Sequence, residues 1–206
     1  MTSMTPPSGG SHRAATAETE EIVLLGTDGE AIGTAPKRAS HHGETPLHLA
    51  FSCYLADASG RVLMTRRADH KPTWPSVWTN SCCGHPAPGE GLRAAVTRRV
   101  GQELGADITD LTLILPGFGY RAVMDDGTVE YELCPVVRAT VSGRIDPDPA
   151  EVAETGWIDW SECVALAGRA GVSPWFTEQI AELAPLGTPH QWPEGDPAQL
   201  PPAVDW

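Results

Sequence analysis

Between Glu90 and Leu104 the apolar residues Leu92, Ala95, Val96, Val100 and Leu104 recur at three- and four-residue steps. That is the period of a helix with one face to bury. Gly105 follows, and glycine closes helices because it takes the left-handed conformation freely. The stripe carries two intruders. Arg99 lies seven residues after Leu92, and Glu103 seven after Val96, so opposite charges fall on the face that should meet a core. As an ordinary i,i+4 pair at the edge of that face they contribute only roughly 0.2–0.5 kcal/mol. Such a helix needs a sheet or another helix to cover it, so the chain must build a layered domain.

The strands for that layer are legible nearby. EIVLLG runs into Asp28-Gly29, a strand entering a tight turn. LHLAFSCYLAD, GRVLMTRR and VEYELCPVVRATV are further strands, rich in β-branched and aromatic residues. In the first of them Leu49, Phe51, Cys53 and Leu55 share one face, and His48, Ala50, Ser52 and Tyr54 share the other. A second helix is expected at SPWFTEQIAEL, with Ser173 as its cap and Pro174 at the first helical position. The sum is an α+β domain with a mixed or antiparallel sheet flanked by helices. At 206 residues one core is expected. Residues 1–19 are expected to be a disordered tail, residues 20–185 the single domain, and residues 186–206 a Pro/Gly-rich segment without regular structure whose tryptophans could dock on a surface.

The balance of 14 basic and 27 acidic residues, a net charge of −13, argues against a general nucleic-acid binder. It leaves room for a small anionic ligand held by a few focused cations. No apolar run is long enough to span a bilayer, so no membrane role is expected. The start lacks the basic and apolar blocks of a secretory signal, and the five cysteines are scattered and odd in number. Free thiols and a cytoplasmic setting are the expectation.

Three clusters carry possible chemistry. TNSCCGHP places adjacent Cys82 and Cys83 before His85, at a spacing that does not suit a zinc site. One thiol can be reactive while the other fills space. Glu130 and Glu132, two apart in a strand, project from the same side; if buried, both cannot stay ionised without a cation. His41, His48 and His85 come from separate segments and would complete an N₃O₂ shell for a divalent metal with those carboxylates.

Gly84, five residues, Glu90, seven residues and then RRVGQELGA resemble the Nudix box, with Arg99 and Gln102 where glutamates are usual. LHLAFS, TRRADHKPTWPSVWTNSCCGHP, YRA and EYELCP, in that order, resemble type 1 isopentenyl-diphosphate isomerases, over about residues 21–183. The resemblance implies a Nudix-like fold and interconversion of isopentenyl and dimethylallyl diphosphate through a tertiary carbocation. It implies Cys83 and Glu132 on opposite sides of the olefin, with Tyr120 assisting Glu132 as proton donor, Cys83 as acceptor and Cys82 merely packing. It implies a tightly bound Mn²⁺, Zn²⁺ or Mg²⁺ on His41, His48, His85, Glu130 and Glu132. A Mg²⁺ ion bound with the substrate diphosphate would contact Glu103 and the Cys83 carbonyl. Lys37, Arg67, Lys71 and Arg99 match diphosphate-binding positions, and Trp175 a wall facing the cation. His42 could exchange with His41 by one register shift, although the seven-residue interval to His48 favours His41. The implied partner is a small isoprenyl diphosphate, and the implied state a monomer or weak dimer. A nucleotide hydrolase and a non-catalytic binding module are the rival readings.

Overall fold

The computed structural model describes residues 20–206, and the tail expected over residues 1–19 lies outside the described residues. In chain order the elements are β1 (Glu21–Leu25), β2 (Ala31–Pro36), β3 (His48–Leu49), β4 (Phe51–Ala56), β5 (Val62–Arg67), β6 (Trp78–Thr79) and β7 (Cys82–Gly84). Helix α1 (Leu92–Leu104) follows, then β8 (Asp107–Leu115), β9 (Gly119–Val123), β10 (Val129–Leu133), β11 (Val136–Ser142) and β12 (Val152–Ile158). Helices α2 (Trp160–Leu166) and α3 (Pro174–Leu183) complete the domain.

The strands form two sheets. One runs β2-β1-β3-β10-β9, and the other β12-β5-β4-β11-β8 with β6 on β5 and β7 on β4. The β3–β10 and β4–β11 pairs are parallel, and the remaining named pairs are antiparallel. This is the mixed α+β arrangement expected from the sequence.

Two strands expected to be continuous are each broken. LHLAFSCYLAD changes sheet at Ala50, between β3 and β4. VEYELCPVVRATV changes sheet at Cys134-Pro135, between β10 and β11. Pro135 has no N–H to give to a ladder, which suits it to a break. The two bends are stitched together, since Ala50 donates its N–H to the Leu133 carbonyl (2.9 Å) and Ser52 to that of Pro135 (3.0 Å).

The alternation read along β4 sorts the core. Leu49, Phe51, Cys53 and Leu55 pack in one cluster with the apolar stripe of α1. Ala50 and Tyr54 pack in the other, with Trp175, Phe176, Ile180 and Leu183 of α3. Both faces are buried, so the strand reads as a continuous apolar run. Helix α3 begins as expected, with the Ser173 hydroxyl accepting from Phe176 N–H and Pro174 in the first turn.

Helix α1 starts two residues later than its periodicity suggests. Glu90 instead accepts from Ala87 N–H (2.8 Å) and from Nε and Nη2 of Arg98 (2.8 and 2.7 Å). The cap comes from far away: Leu92 donates its N–H to the Asp205 carbonyl at 2.8 Å. Gly105 closes the helix at φ 58°. Gly84 allows α1 to approach β7, because a Cβ there would lie 2.8 Å from Cγ of Arg99 and 3.1 Å from Cζ of Phe51.

The C-terminal segment departs from its expected irregularity. It holds one-turn 3₁₀ helices at Ala184–Leu186, Pro189–Gln191 and Pro197–Gln199, and proline suits the first position of such turns because it needs no N–H there. Trp192, Leu200 and Val204 are buried, and the Arg93 guanidinium lies 4.1 Å from the ring centroid of Trp206. No helix among the described residues is long and apolar enough to cross a membrane. Deleting residues 200–206 should lower stability by several kcal/mol, since each buried Leu or Val side chain contributes about 1.5–3 kcal/mol and the cap of α1 is lost as well. Urea denaturation measures it, and an unchanged midpoint would show that the segment rests on the domain without supporting it.

Candidate active site and metal centre

The parallel register of β3 and β10 sets His48 directly beside Glu132. His41 arrives from the turn after β2, and His85 from the residue after β7. The ligand atoms of His41, His48, His85 and Glu132 all lie within 4.8 Å of one another. Nε2 of His48 and Nε2 of His85 each stand 3.3 Å from Oε1 of Glu132. The His48 Nδ1–H donates to the Pro46 carbonyl at 2.9 Å, which fixes the tautomer and turns the Nε2 lone pair inward.

Buried nitrogens normally find hydrogen-bond partners. Here Nε2 of His41, Nε2 of His48 and Nδ1 of His85 are buried and have none. Burial pushes the His41 imidazole down to about 4 and that of His85 to about 3, so both are neutral and able to ligate. Burial opposes charge on His48 too, but the Glu132 carboxylate outweighs it and holds His48 above its ordinary value. Burial likewise works against the Glu132 charge, yet His48 and His85 draw it well below the usual carboxylate range. The unpartnered Nε2 atoms of His41 and His48, with Nε2 of His85 facing the same Glu132 carboxylate, make a donor set that fits a divalent metal ion.

Glu130 shares that face but stands outside the four-residue cluster. Its Oε2 accepts from the Tyr120 hydroxyl at 2.8 Å. Burial first, and then the neighbouring Glu132 charge, raise Glu130 to about 7. The conflict expected of two buried carboxylates is thus resolved by pushing them apart. The Tyr120 hydroxyl thus bonds Glu130, while Glu132 lies directly opposite Tyr120 in the strand register. His42 is exposed, and its Nδ1 accepts from Glu44 N–H, so it faces away from the cluster.

In front of the cluster lies a cavity of about 720 Å³. Of the candidate catalytic, metal and substrate-binding residues it gathers all but His48, which is fully buried; His42, and Glu90 and Gln102 of the Nudix-like stretch, also lie outside its lining. Lys37, Arg67, Lys71 and Arg99 line it together with Cys83, Tyr120 and Trp175. Most of these cations are paired. Lys37 donates to Glu20 (2.7 Å) and Lys71 to Glu151, while Arg99 meets Glu103, Glu20 and Glu151. Burial works against charge on Arg99, but Glu103 and Glu151 keep it firmly protonated. Its Nε–H, buried and without a partner, is a free donor. Arg67 instead braces the 73–74 turn through the carbonyls of Thr73 and Trp74, and lies 5.5 Å from the Trp175 ring centroid.

The adjacent cysteines divide as alternation in a strand requires. Cys82 packs in the core beside Cys53, its cross-strand partner. Cys83 faces the second cluster, beside Ser52. Burial pushes its thiol up to about 11. Sequence reading missed Glu20 and Glu151, the carboxylates paired with the cavity cations, because an isolated acidic residue carries no pattern. It also missed Asn80, although Asn80 lies inside TNSCCGHP. That residue accepts with Oδ1 from Cys83 and from Trp175 Nε1, both at 3.2 Å.

The two sheets, the helix laid against the Gly84 strand and the metal-ready cavity define the class. The NUDIX domain family matches residues 46–178. Two solved structures share the fold: DR0079 from Deinococcus radiodurans (TM-score 0.62, 16% identity, 79% of this chain and 98% of that one) and a MutT protein from Methanosarcina mazei (TM-score 0.54, 17% identity, 69% and 96%). Sequence relatives narrow the class. An isopentenyl-diphosphate Delta-isomerase from Saccharopolyspora erythraea is 54% identical over 188 residues, covering 90% of this chain and 97% of the relative. One from Mycolicibacterium vanbaalenii is 56% identical over 173 residues, covering 84% and 96%. The chain is a Nudix-domain protein and belongs to the isopentenyl-diphosphate Delta-isomerase family.

Alanine at His41, His48 or His85 should reduce bound metal, whereas His42→Ala should leave it intact. Elemental analysis of the purified variants reads this directly, and a metal-replete His48→Ala protein would count against the cluster as a metal centre.

Proposed function

We propose that the chain interconverts isopentenyl and dimethylallyl diphosphate, with Cys83 and the Glu132 side of the cavity exchanging protons with the substrate. One observation carries this reading: a thiol and a carboxylate cluster line one cavity together with Lys37, Arg67, Lys71 and Arg99. The family membership supports the same substrate.

The reaction adds a proton to the terminal methylene carbon of an unactivated olefin, leaving a tertiary cation. Loss of a proton from the allylic carbon on the diphosphate side then gives the isomer. Donor and acceptor must therefore flank the olefin. Cys83 is held as a thiol and Glu132 as a carboxylate, so in this state the thiol carries the proton to be given and the carboxylate side receives. The order expected from sequence, with Glu132 giving and Cys83 accepting, is the opposite leg of the same reversible step. Tyr120 acts through Glu130, whose value near 7 lets it share a proton at neutral pH.

Trp175, buried against Trp74 and Tyr120, presents a π face to the cation and helps exclude water that would trap it. Lys37, Lys71 and Arg99 bind the diphosphate, with the unpaired Nε–H of Arg99 as one donor. Arg67 lines the same cavity while holding the turn that shapes it. A divalent ion on His41, His48, His85 and Glu132, with Glu130 beside it, would fix the carboxylate, and Mg²⁺ entering with the substrate at Glu103 and the Cys83 carbonyl would neutralise diphosphate charge. Three imidazoles with carboxylate suit Mn²⁺, Zn²⁺ or Mg²⁺ at the first of these sites. The site is complete within one chain, which supports action as a monomer or weak dimer. Five free cysteines support a cytoplasmic setting, and the net charge of −13 supports the absence of nucleic-acid partners.

Incubation with isopentenyl diphosphate and Mg²⁺ should yield the allylic isomer. Cys83→Ala should abolish it, while Cys82→Ala, whose side chain packs in the core cluster beside Cys53, should fold and retain most activity. Equal loss in two folded variants would refute the asymmetry. Arg99→Glu should lower kcat/KM by about tenfold or more, since a charge-assisted contact is worth roughly 1.5–3 kcal/mol. It should gain no nucleoside diphosphate hydrolysis, because Gln102 is still not acidic; unchanged isomerase kinetics would sink the phosphate role of Arg99.

A further inference from the structure

Helix α3 buries one polar side chain within its apolar stripe. Gln179 lies among Trp175, Phe176, Ile180 and Leu183 and is wholly buried. Burying an amide is costly unless it is fully hydrogen-bonded, so its partners carry information. Nε2 of Gln179 lies 2.8 Å from Oγ of Ser52, and Oε1 lies 2.9 Å from the Tyr54 hydroxyl. Ser52 in turn lies 3.4 Å from Sγ of Cys83 and 3.5 Å from Sγ of Cys134. Ser52, Tyr54 and Gln179 are all fully buried.

The directions of these bonds follow from Asn80. Its Nδ2 donates to the carbonyls of Cys53 (3.1 Å) and Cys82 (3.0 Å), so its amide orientation is fixed and Oδ1 can only accept. The S–H of Cys83, 3.2 Å away, must therefore point at Asn80 Oδ1. A thiol has one hydrogen. The contact with Ser52 must then run the other way, with the serine O–H donating to the sulfur. Ser52 consequently accepts from Gln179 Nε2, which leaves Gln179 Oε1 to accept from Tyr54. The chain Tyr54 → Gln179 → Ser52 → Cys83 has one polarity, and each bond polarises the next.

We propose that Ser52 and Gln179 are positioning residues for the Cys83 thiol: Ser52 clamps the sulfur from the core side while Asn80 holds its hydrogen, and Gln179 fixes the Ser52 rotamer from α3. This rests on Cys83 being the reacting thiol. A sulfur with two fixed partners keeps its third side toward the cavity. Reaction rate is sensitive to such placement, whereas substrate binding relies on the cavity cations, which neither Ser52 nor Gln179 touches.

The test combines kinetics with the infrared S–H stretch, which reports hydrogen bonding at the thiol without any turnover. The Cys83 band is assigned by its loss in Cys83→Ala. Ser52→Ala should shift that band and lower kcat by between about 10- and 100-fold with KM within about twofold of wild type. Gln179→Leu should move both readouts in the same direction by less. Ser52→Thr, which restores the hydroxyl, should recover the band position and most of kcat. Ser81→Ala is the control: it removes an equally buried hydroxyl, bound to Leu55 N–H and the Leu63 carbonyl, and should alter stability with neither the band nor kcat changed. An unshifted band and unchanged kcat in folded Ser52→Ala would overturn the clamp. A shifted band in an enzyme that stays active as Cys83→Ala would uphold the clamp and defeat the role of the thiol instead.

Discussion

Everything at the site depends on two strands that bend together. β3 continues into β4, and β10 into β11, and in each sheet the two members run side by side in parallel. Each strand changes sheet at the same level, at Ala50 and at Cys134-Pro135, and backbone hydrogen bonds cross the seam. A polar cluster needs partners wherever a buried strand face carries it, and side chains beside the bends find them in each other. Before the bend the paired strands present His48 and Glu132; just beyond it they present Ser52, with β7 laid alongside to deliver Cys83. The candidate metal cluster and the thiol are therefore set side by side by strand pairing, with Glu132 beside His48 and Cys83 beside Ser52.

Helix α1 depends on that seam in turn. Cys82, Cys83 and Gly84 form the short strand on which it lies, and the missing Cβ of Gly84 lets the Arg99 side chain pass. Arg99 and Glu103 stay on the apolar stripe because the stripe does not meet core along its whole length. Its Arg99 edge opens into the cavity, where Glu151 and Glu20 also reach the guanidinium. Burial of a charge pair is costly unless each member finds further partners. Here Arg99 finds three carboxylates, which is a network and not the lone i,i+4 pair that helix spacing alone implies.

Much of this was legible in the sequence, and the limits are instructive. Local periodicity placed α1, α3 and the faces of β4, because buried stripes at fixed spacing are a property of one segment. It could not show that LHLAFSCYLAD and VEYELCPVVRATV each break, since a strand that leaves one sheet and enters another keeps its alternation. Only Pro135 hinted at the switch. Resemblance to a family supplied what periodicity could not, the convergence of His41, His48 and His85, whose ligand atoms lie within 4.8 Å of one another and of Glu132's. Glu20, Glu151, Ser52 and Gln179 were out of reach for a different reason. Their roles are set by partners from 17 to 127 positions away, and the motif that names Cys83 says nothing of what stands behind it.

The charges in the cavity determine what it can accept. The chain is strongly acidic overall, and its cavity cations are largely matched by carboxylates: Lys37 by Glu20, Lys71 and Arg99 by Glu151, Arg99 again by Glu103. Burial alone would push the Glu151 carboxyl up, yet Lys71 and Arg99 hold it at about 2, so it remains charged at any physiological pH. A diphosphate entering such a site meets cations that must first loosen from their carboxylates. Binding then exchanges one set of ion pairs for another, and affinity depends on how much better a phosphate satisfies the same donors. Free carboxylates left behind, Glu103 above all, would be an electrostatic cost in this cavity. Taking up a divalent cation along with the diphosphate removes that cost, so anion and cation are expected to bind together. The same logic separates this helix from an ordinary Nudix box. With Arg99 and Gln102 in place of two glutamates, α1 has less negative charge with which to gather metal by itself, and it carries instead the unpartnered Nε–H of Arg99 at the cavity.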